Sequence, residues 1–391
     1  MRSMKRLGVT SGSAVIAIFL GAMFFIEVRN NQQTAAHLAA GKAAFDAEDF
    51  ATAMHEWGPL AKDGDGFAQA DLGLLYQGGL GVRRDYAEAL RLFRLSTAQN
   101  NASGQNNLGT TYEGGLGVPQ DYGEAAKWYQ LAAEQGDSSA QNNLGALYSK
   151  GTGVPQDYAA AMKWFRLSAD QRFATAQYNL GNLYFDGTGV PKDGAEAAKW
   201  YRLAAEQSHS GAQTNLGYMY ENGIGVPQDY NEAMKLYRLA AEHGNARAQD
   251  NLGVVFAKGI GVQKDAVEVA RWYRLAAEQG NADAQANLGG TYIAGKGVAQ
   301  DYAEAARWFR QAAKQGHGHA QKVLGVMYKS GVGVPRDYVA AHMWLALSVT
   351  NGNQKAAPFL EAVATKLAPA DLAEAKRRET ACLASKYMDC D

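Results

Sequence analysis

Apolar positions along this sequence follow the spacing of paired amphipathic helices. In residues 140–175, Ala140, Leu144 and Tyr148 are four residues apart, which places them on one face of a helix over about 140–149. A second helix is predicted over about 158–170, and the residues that share its inner face are Ala161, Trp164, Phe165 and Ser168. The pattern therefore predicts a helical hairpin.

The segment between the two helices has the composition of a turn. Gly151 and Gly153 can adopt positive φ angles, and Pro155 cannot donate the amide bond that would continue a helix. Asp157 stands where a helix N-cap is expected, and an Asp recurs at this position in every copy from Asp85 to Asp337. These residues predict where the second helix begins.

The hairpin recurs with one fixed period, which marks a repeat array. A Leu-Gly pair appears eight times, with its glycine at Gly73, Gly109, Gly145, Gly181, Gly217, Gly253, Gly289 and Gly325. A glycine inside a helix costs about 1 kcal/mol relative to alanine, so its recurrence predicts close approach of a neighbouring helix. One hairpin cannot bury its own apolar face, and stacking eight of them predicts an all-α solenoid.

The repeats divide the chain into predicted segments. An N-terminal capping helix pair is predicted over 34–67, with helices at 34–47 and 50–62, and C-terminal capping helices over 356–391, with helical residues 356–367 and a second helix from Pro369. The eight repeats between them are predicted at 68–103, 104–139, 140–175, 176–211, 212–247, 248–283, 284–319 and 320–355.

The N-terminus carries a separate hydrophobic segment. A basic flank, residues 1–6, precedes an uncharged run, and residues 7–28 are long enough to cross a bilayer before a polar linker over 29–33. A transmembrane anchor is favoured over a cleaved signal peptide, because no small-residue site follows the apolar run closely. Both interpretations export the repeats, since the basic flank stays in the cytoplasm.

The motif A-x-x-x-L-G-x-x-Y-x-x-G-x-G-V, followed by D-Y-x-x-A and W-Y/F-x-x-A-A-x-x-G, resembles the Sel1-like repeat family over about residues 68–355. These repeats are relatives of the tetratricopeptide repeat, and the resemblance implies a right-handed solenoid that binds proteins, commonly in bacterial envelopes. Some cysteine-rich relatives are linked to penicillin binding or β-lactam hydrolysis. No Ser-x-x-Lys or Gly-x-Ser-x-Gly motif is present here, so catalysis is not expected.

Charge and the remaining motifs favour neither nucleic acid nor a cofactor. Lys plus Arg is 38 and Asp plus Glu is 39, without a basic stripe. The Gly-x-Gly-Val loops lack the strand and third glycine of a dinucleotide site, so they are interpreted as turns. The histidines, including the pair His317 and His319, are interpreted as solvated loop residues, and neither a metal site nor a small-molecule cofactor is expected.

The two cysteines, Cys382 and Cys390, lie close together near the C-terminus. Two such cysteines in an exported protein can form a disulfide, and the spacing is similar to the one that joins adjacent helices in cysteine-rich members of the Sel1-like family. Two unpaired thiols on a frayed tail are the alternative.

Positions that vary between the repeats are candidates for recognition. In tetratricopeptide-like solenoids the first helix lines the concave side, and there the i, i+4, i+7 stripe differs from copy to copy. Its aromatic part is Tyr178, Phe185 and Tyr218, and the candidate protein-binding residues are Tyr178, Asn182, Phe185, Tyr218, Glu221 and Asp250. The alternative is that these side chains fill space between repeats. The Asn before Leu-Gly, present in six copies from Asn107 to Asn287, is instead expected to be structural, with its amide bonded to neighbouring backbone.

Together these features predict a non-catalytic scaffold that holds or regulates an unidentified envelope protein through a concave surface. Its predicted location is the inner membrane, single-pass with the repeats in the periplasm, or the periplasm or exterior if the N-terminal segment is cleaved. Two other classes stay open: a hydrolase of β-lactams or cell-wall peptides, and a module that binds polysaccharide or peptidoglycan.

Overall fold

A computed structural model describes residues 32–388 and 390, and in this part of the chain the fold is entirely helical, with twenty α-helices, one 3₁₀ turn and no strand. Helix α1 spans residues 32–46. The others are α2 Phe50–Lys62, α3 Gly66–Gly78, α4 Tyr86–Ala98, α5 Ala102–Gly114, α6 Tyr122–Glu134, α7 Ser138–Lys150, α8 Tyr158–Asp170, α9 Ala174–Asp186, α10 Gly194–Glu206, α11 Ser210–Asn222, α12 Tyr230–Glu242, α13 Ala246–Lys258, α14 Ala266–Glu278, α15 Ala282–Ala294, α16 Tyr302–Ala313, α17 Gly318–Ser330, α18 Tyr338–Thr350, α19 Ala357–Ala364 and α20 Pro369–Ala384.

The predicted basic flank and membrane or signal segment, residues 1–6 and 7–28, lie outside the described residues. No helix in the described part of the chain is both long and apolar enough to cross a membrane. Helix α1 already contains residues 32 and 33, which the sequence analysis placed in a linker. Both are glutamines, which have good helix propensity.

Caps at both ends define the helices of each hairpin. In α7 the Asp137 side chain accepts a hydrogen bond of 2.7 Å from the backbone N–H of Ala140, so the helix begins two residues before the predicted start. The helix ends at Gly151, which has a left-handed φ of 68°. The Asp157 carboxylate accepts from the N–H of Ala160 at 3.0 Å and starts α8, as its position in the sequence predicted.

The repeated glycine of the first helix makes room for a side chain of the second helix in the same hairpin. A Cβ on Gly145 would lie 2.8 Å from the ring of Phe165. The same spacing of 20 residues holds throughout, in the pairs Gly73–Phe93, Gly109–Tyr129, Gly145–Phe165, Gly181–Tyr201, Gly217–Tyr237, Gly253–Tyr273, Gly289–Phe309 and Gly325–Leu345. The close approach that the repeated glycine predicts is therefore a contact between a buried side chain and a helix backbone.

The chain forms two compact units, Met1–Ala176 and Gln177–Asp391, with the boundary inside α9. In the first unit, helices α2 to α7 each pack on the next, and Trp57, Phe93 and Tyr129 are fully buried. In the second unit, helices α10 to α18 pack in the same sequential way around Tyr201, Tyr237 and other large buried side chains. Each unit thus consists of stacked hairpins with clusters of buried apolar side chains between successive helices.

The C-terminal helices cover the last repeat. Helix α18 is buried on nearly all sides and packs against α19 and α20. A 3₁₀ turn over Gln354–Ala356 precedes α19, and α20 begins at Pro369. Cys382 and Cys390 are both buried and are joined by a disulfide that ties the end of the chain to α20.

Candidate functional site

Four of the six residues selected from the variable stripe line one open cavity of ≈ 300 Å³ in the second unit. Three of them are the aromatic side chains Tyr178, Phe185 and Tyr218. Asn182 is the fourth, and the other residues of the lining are Asp186, Tyr201, Asn215 and Arg247. We call these eight residues the aromatic pocket.

The aromatic rings form a connected wall. The rings of Phe185 and Tyr218 meet edge to face with centroids 6.3 Å apart, and the centroids of Tyr178 and Tyr201 are 5.9 Å apart. Tyr218 is 37% exposed, whereas Tyr201 is fully buried. The Lys192 ammonium lies 5.3 Å from the centroid of the Phe185 ring. The wall is therefore anchored in the core and open at Tyr218.

A hydrogen-bonded chain forms the polar part of the pocket. The Tyr201 hydroxyl donates to Asn182 Oδ1 at 2.7 Å, and Asn215 Nδ2 donates to the same oxygen at 3.2 Å. Arg247 donates through one guanidinium nitrogen to Asn215 Oδ1 at 3.3 Å, and its side chain is otherwise exposed. A ligand here meets aromatic faces beside the opposite charges of Arg247 and Asp186.

His209 packs against the pocket residue Tyr178, and the sequence did not identify it as part of the site. Its ring stacks on Tyr178 with centroids 4.6 Å apart. Its Nδ1 accepts a hydrogen bond of 3.1 Å from the backbone N–H of Ala212, which makes His209 the N-cap of α11. Burial lowers the pKa of His209. His317 caps α17 in the same way, so these two residues are structural caps rather than the solvated loop histidines that the sequence suggested.

The structure does not bring Glu221 and Asp250 into the aromatic pocket. Glu221 accepts a hydrogen bond of 2.7 Å from the hydroxyl of Tyr237. Asp250 is only 9% exposed and accepts from Asn287 Nδ2 at 3.0 Å, and burial raises its pKa to about 6. Both carboxylates hold helices together within the stack.

The recurring Asn before Leu-Gly bonds mainly to side chains of the preceding repeat. Asn143 Nδ2 donates to Asn106 Oδ1 at 3.1 Å, and the Asn287–Asp250 bond is its equivalent. Asn107 donates to a backbone carbonyl, that of Ala70, at 3.5 Å, as expected. At Asn143, Asn215 and Asn287 the facing stripe position offers a closer side-chain oxygen, and the amide bonds to that oxygen instead.

Four residues of the aromatic pocket were not predicted: Asp186, Tyr201, Asn215 and Arg247. Asp186 directly follows Phe185 and falls outside the i, i+4, i+7 spacing. Tyr201 belongs to the recurring aromatic positions, which the sequence analysis assigned to the core. Asn215 belongs to the Asn row and was assigned a structural role. Arg247 lies in the first turn of α13, one turn before the stripe, so the i, i+4, i+7 pattern does not include it. In residues 32–388, no group of three or more His, Cys, Asp or Glu side chains is arranged to hold a metal ion.

The solved structures that are similar to this chain include two bacterial proteins. A Sel1 repeat protein from Oxalobacter formigenes is 35% identical with a TM-score of 0.59, covering 79% of this chain and 90% of that protein. A protective antigen present in uropathogenic Escherichia coli strains is 33% identical with a TM-score of 0.49, covering 94% of this chain and 87% of that protein. A comparison with curated proteins gives no match.

The sequence model of the Sel1 repeat matches eight consecutive segments, each beginning two residues before the repeat frame chosen above. The segments are 66–101, 102–137, 138–173, 174–209, 210–245, 246–281, 282–317 and 318–353. Their frame follows the helix caps, since Asp65, Asn101 and Asp137 each precede a matched segment. Because eight consecutive Sel1 repeats are matched and a solved Sel1 repeat protein is 35% identical, the chain belongs to the Sel1 repeat family.

Proposed function

We propose that this protein is a non-catalytic scaffold of the cell envelope that holds a partner protein at the aromatic pocket. Sel1 repeat proteins are typically scaffolds for protein–protein interaction and are generally non-catalytic. A scaffold that holds one partner needs a surface that is not the same in every repeat. The pocket is such a surface, because its stripe residues differ from those of the other repeats.

The single observation that supports this site is the convergence of its residues. Tyr178 and Phe185 belong to one repeat and Tyr218 to the next, so the stripe that the helical period defines brings three aromatic side chains from neighbouring repeats into one pocket. Aromatic side chains held rigidly by a core are typical of interface residues with large binding energies. Space filling explains Tyr201, which is fully buried, but not Tyr218 at 37% exposure.

The envelope location rests on the N-terminal sequence. Within the predicted segment 7–28, residues 7–26 are an uncharged apolar run behind a basic flank. As an anchor, this segment would keep the scaffold and a membrane-bound partner at high local concentration. A topology reporter fused after residue 391 distinguishes export from retention in the cytoplasm.

Photo-crosslinking tests the binding site directly. A photo-reactive amino acid replaces Tyr218 in the full-length protein, expressed in cells that contain its natural partners. We expect one discrete crosslinked protein, and we expect the crosslink to disappear when Tyr178 and Phe185 are also changed to alanine.

The matched control changes Leu167, Leu203 and Leu239 to alanine, because these side chains are about equally exposed on second helices outside the pocket. This control should leave the crosslink intact. Loss of the crosslink in the control, or a crosslink that survives in the pocket variant, would contradict the proposed site. A chromogenic β-lactam assay and a pull-down with sacculi on the same preparations would reveal the hydrolase and peptidoglycan-binding alternatives.

A further inference from the structure

The tyrosines of the second helices bond through their hydroxyls to the first helix of the same repeat. Each of these rings packs against the repeated glycine, and its hydroxyl reaches the variable stripe. The pairs are Tyr129 with Glu113 at 2.6 Å, Tyr201 with Asn182 at 2.7 Å and Tyr237 with Glu221 at 2.7 Å.

Tyr273 is the one tyrosine of this row that has no such acceptor in the described part of the chain. The position that holds Glu221 in the preceding repeat is Ala257 here, and the position that holds Asn182 is Val254. Tyr273 is only 7% exposed, and no hydrogen bond to its hydroxyl is found among the described residues. The ring is buried, but its hydroxyl is open to a cavity, where an acceptor from outside the chain can reach it.

The missing glutamate leaves a cavity. Tyr273 lines an open cavity of ≈ 450 Å³ that is bounded by the apolar side chains of Phe256 and Val269. The small residues Ala257, Gly290 and Ala294 give it its depth. We call this the Tyr273 pocket, and its positions 257, 273, 287 and 290 correspond to 185, 201, 215 and 218 of the aromatic pocket, two repeats earlier.

Two lysines give the Tyr273 pocket a cationic rim. Lys264 and Lys296 both line it, and within the described residues neither lies within 4.0 Å of a carboxylate oxygen. The third charged residue of the lining, Asp265, is engaged as the N-cap of α14. Burial raises the pKa of Tyr273, and the Asp250 carboxylate raises it further, so the phenol keeps its proton and can donate it to an acceptor. The two lysines of the rim favour an anionic ligand over a cationic one.

We infer that the Tyr273 pocket binds the carboxylate of a glutamate side chain from the partner protein. The carboxylate takes the place that Glu221 occupies beside Tyr237, accepting the phenol hydrogen and pairing with the two lysines. The methylene groups of the glutamate lie against the apolar walls. Hydrogen bonds to a charged acceptor are the stronger kind, which suits a site of this size.

This inference rests on the proposed function, because it assigns a chemistry to the partner segment. The two pockets lie at equivalent positions of the same unit, so a partner that presents an apolar or aromatic group at the aromatic pocket would present an acidic residue at the Tyr273 pocket. Electrostatic complementarity at the second site would fix the register of the partner.

Ligand-observed saturation-transfer NMR on the full-length protein tests the inference with defined probes. The probes are the capped peptide acetyl-Ala-Glu-Ala-amide, its Gln counterpart, and acetyl-Ala-Ala-Ala with a free C-terminal carboxylate. We expect the Glu peptide to bind about tenfold more tightly than the Gln peptide, as is typical of a hydrogen bond to a charged group. We also expect it to bind more tightly than the free C-terminal carboxylate.

Three variants assign the binding to the pocket. Tyr273→Phe removes only the hydroxyl, and Ala257→Glu fills the site with the side chain that the preceding repeat already carries. Both are expected to reduce binding of the Glu peptide about tenfold or more. The matched control Tyr237→Phe removes a hydroxyl that is already bonded to Glu221, and it should leave peptide binding unchanged.

Equal binding of the Glu and Gln peptides, tighter binding of the free C-terminal carboxylate, or no effect of Tyr273→Phe and Ala257→Glu would overturn the inference. Circular dichroism of each variant shows whether it is folded. The crosslink from position 218 reports on the scaffold function independently. A surviving crosslink combined with a negative peptide result therefore overturns only the glutamate site.

Discussion

Gln135 Nε2 donates a hydrogen bond of 2.7 Å to Oε1 of Gln105, which lies 30 residues earlier in the first helix of the same hairpin. The bond recurs through the array in the pairs Gln99–Gln69, Gln171–Gln141, Gln207–Gln177, Gln279–Gln249 and Gln315–Gln285. The acceptor glutamine also reaches backwards, as Gln141 Nε2 donates to the carbonyl of Ala133 at 3.1 Å. The buried carboxamides of the acceptor glutamines thus form a row that connects the hairpins as well as the two helices within each one.

The row is interrupted in one repeat, and repairing it should stabilise the protein. At position 243 a histidine stands where six repeats have glutamine and the last has Asn351, and Oε1 of the buried Gln213 has no hydrogen-bond partner among the described residues. An unsatisfied buried acceptor costs about 1–3 kcal/mol, so His243→Gln should increase the free energy of unfolding by about 1 kcal/mol. Urea unfolding followed by circular dichroism measures the change.

The reciprocal substitution is the matched control. Gln279→His places the same interruption one repeat later and removes the donor to Gln249 Oε1. It should lower stability by about as much as His243→Gln raises it. If both variants behaved like the wild type, the carboxamide row would have no energetic role.

The hairpins were predictable from the sequence because their ends are marked by local chemistry. Gly151 ends α7 and Asp157 begins α8 through bonds to residues only a few positions away in the chain, so spacing alone locates the helix ends. The carboxamide row was not predicted, although a glutamine recurs at this position in all eight copies. A polar residue inside an amphipathic helix normally indicates a solvated face, and only the packing of hairpins shows that these amides are buried.

The candidate site was partly predictable for a similar reason. The stripe on the first helices correctly grouped Tyr178, Phe185 and Tyr218, since a helical period specifies which residues share a face. The same period also selected Asp250, which is buried against Asn287. Whether a stripe residue faces solvent depends on the size of the side chains around it, and the period carries no information on size.

Two adjacent glycines of α15 should respond to alanine in opposite directions. A Cβ on Gly289 would lie 2.8 Å from the ring of Phe309, whereas a Cβ on Gly290 would meet nothing within 4 Å. Gly290→Ala should stabilise the helix by up to about 1 kcal/mol through helix propensity. Gly289→Ala gains the same propensity but overpacks a buried ring, at a cost of about 1–3 kcal/mol.

Thermal unfolding of the two variants tests this difference under identical conditions. We expect Gly290→Ala to melt above the wild type and Gly289→Ala to melt below it. Equal melting temperatures would mean that the rings of the second helices tolerate a methyl group, and the repeated glycine would then need another explanation.

Asp250 should make the protein less stable at neutral pH than in mild acid. Its pKa is raised by burial from 3.8 to about 6, so the folded state holds the proton more tightly than the unfolded state does. The stability that this proton contributes is complete below about pH 3.8 and is lost as the pH rises through 6. Asp250→Asn should remove this loss and increase the free energy of unfolding at pH 7 by on the order of 2 kcal/mol.

The array already contains the side-chain pair that Asp250→Asn would create. Asn106 occupies the corresponding position and accepts from Asn143 at 3.1 Å, so an asparagine at 250 can keep the bond from Asn287. Urea unfolding of wild type and variant at pH 4, 5, 6 and 7 gives the measurement. Parallel pH profiles for the two proteins would show that Asp250 ionises in the folded protein without a penalty.

The cap at His209 should make α11 sensitive to acid. Nδ1 accepts from the N–H of Ala212 only when it carries no proton, and burial lowers the pKa of His209 below 6.5. The unfolded state therefore takes up the proton first, and the cap contributes stability above pH 6.5 that is lost as the pH falls through the lowered pKa. His209→Asn should reduce this loss, because Asn245 and Asn281 cap α13 and α15 without titrating.

His209→Ala separates the cap from the charge. It removes the acceptor at every pH, so it should cost about 0.5–2 kcal/mol at pH 7.5 and add little further loss at pH 5. The wild type should approach the alanine variant at pH 5, while His209→Asn should stay above it. Hydrogen exchange of the first-turn amides of α11 reports the cap directly, and slow exchange at pH 5 in the wild type would contradict this account.

Since His209 also stacks on Tyr178, with ring centroids 4.6 Å apart, loss of the cap would loosen one wall of the aromatic pocket. Acid should therefore weaken the crosslink from position 218 in the wild type more than in His209→Asn.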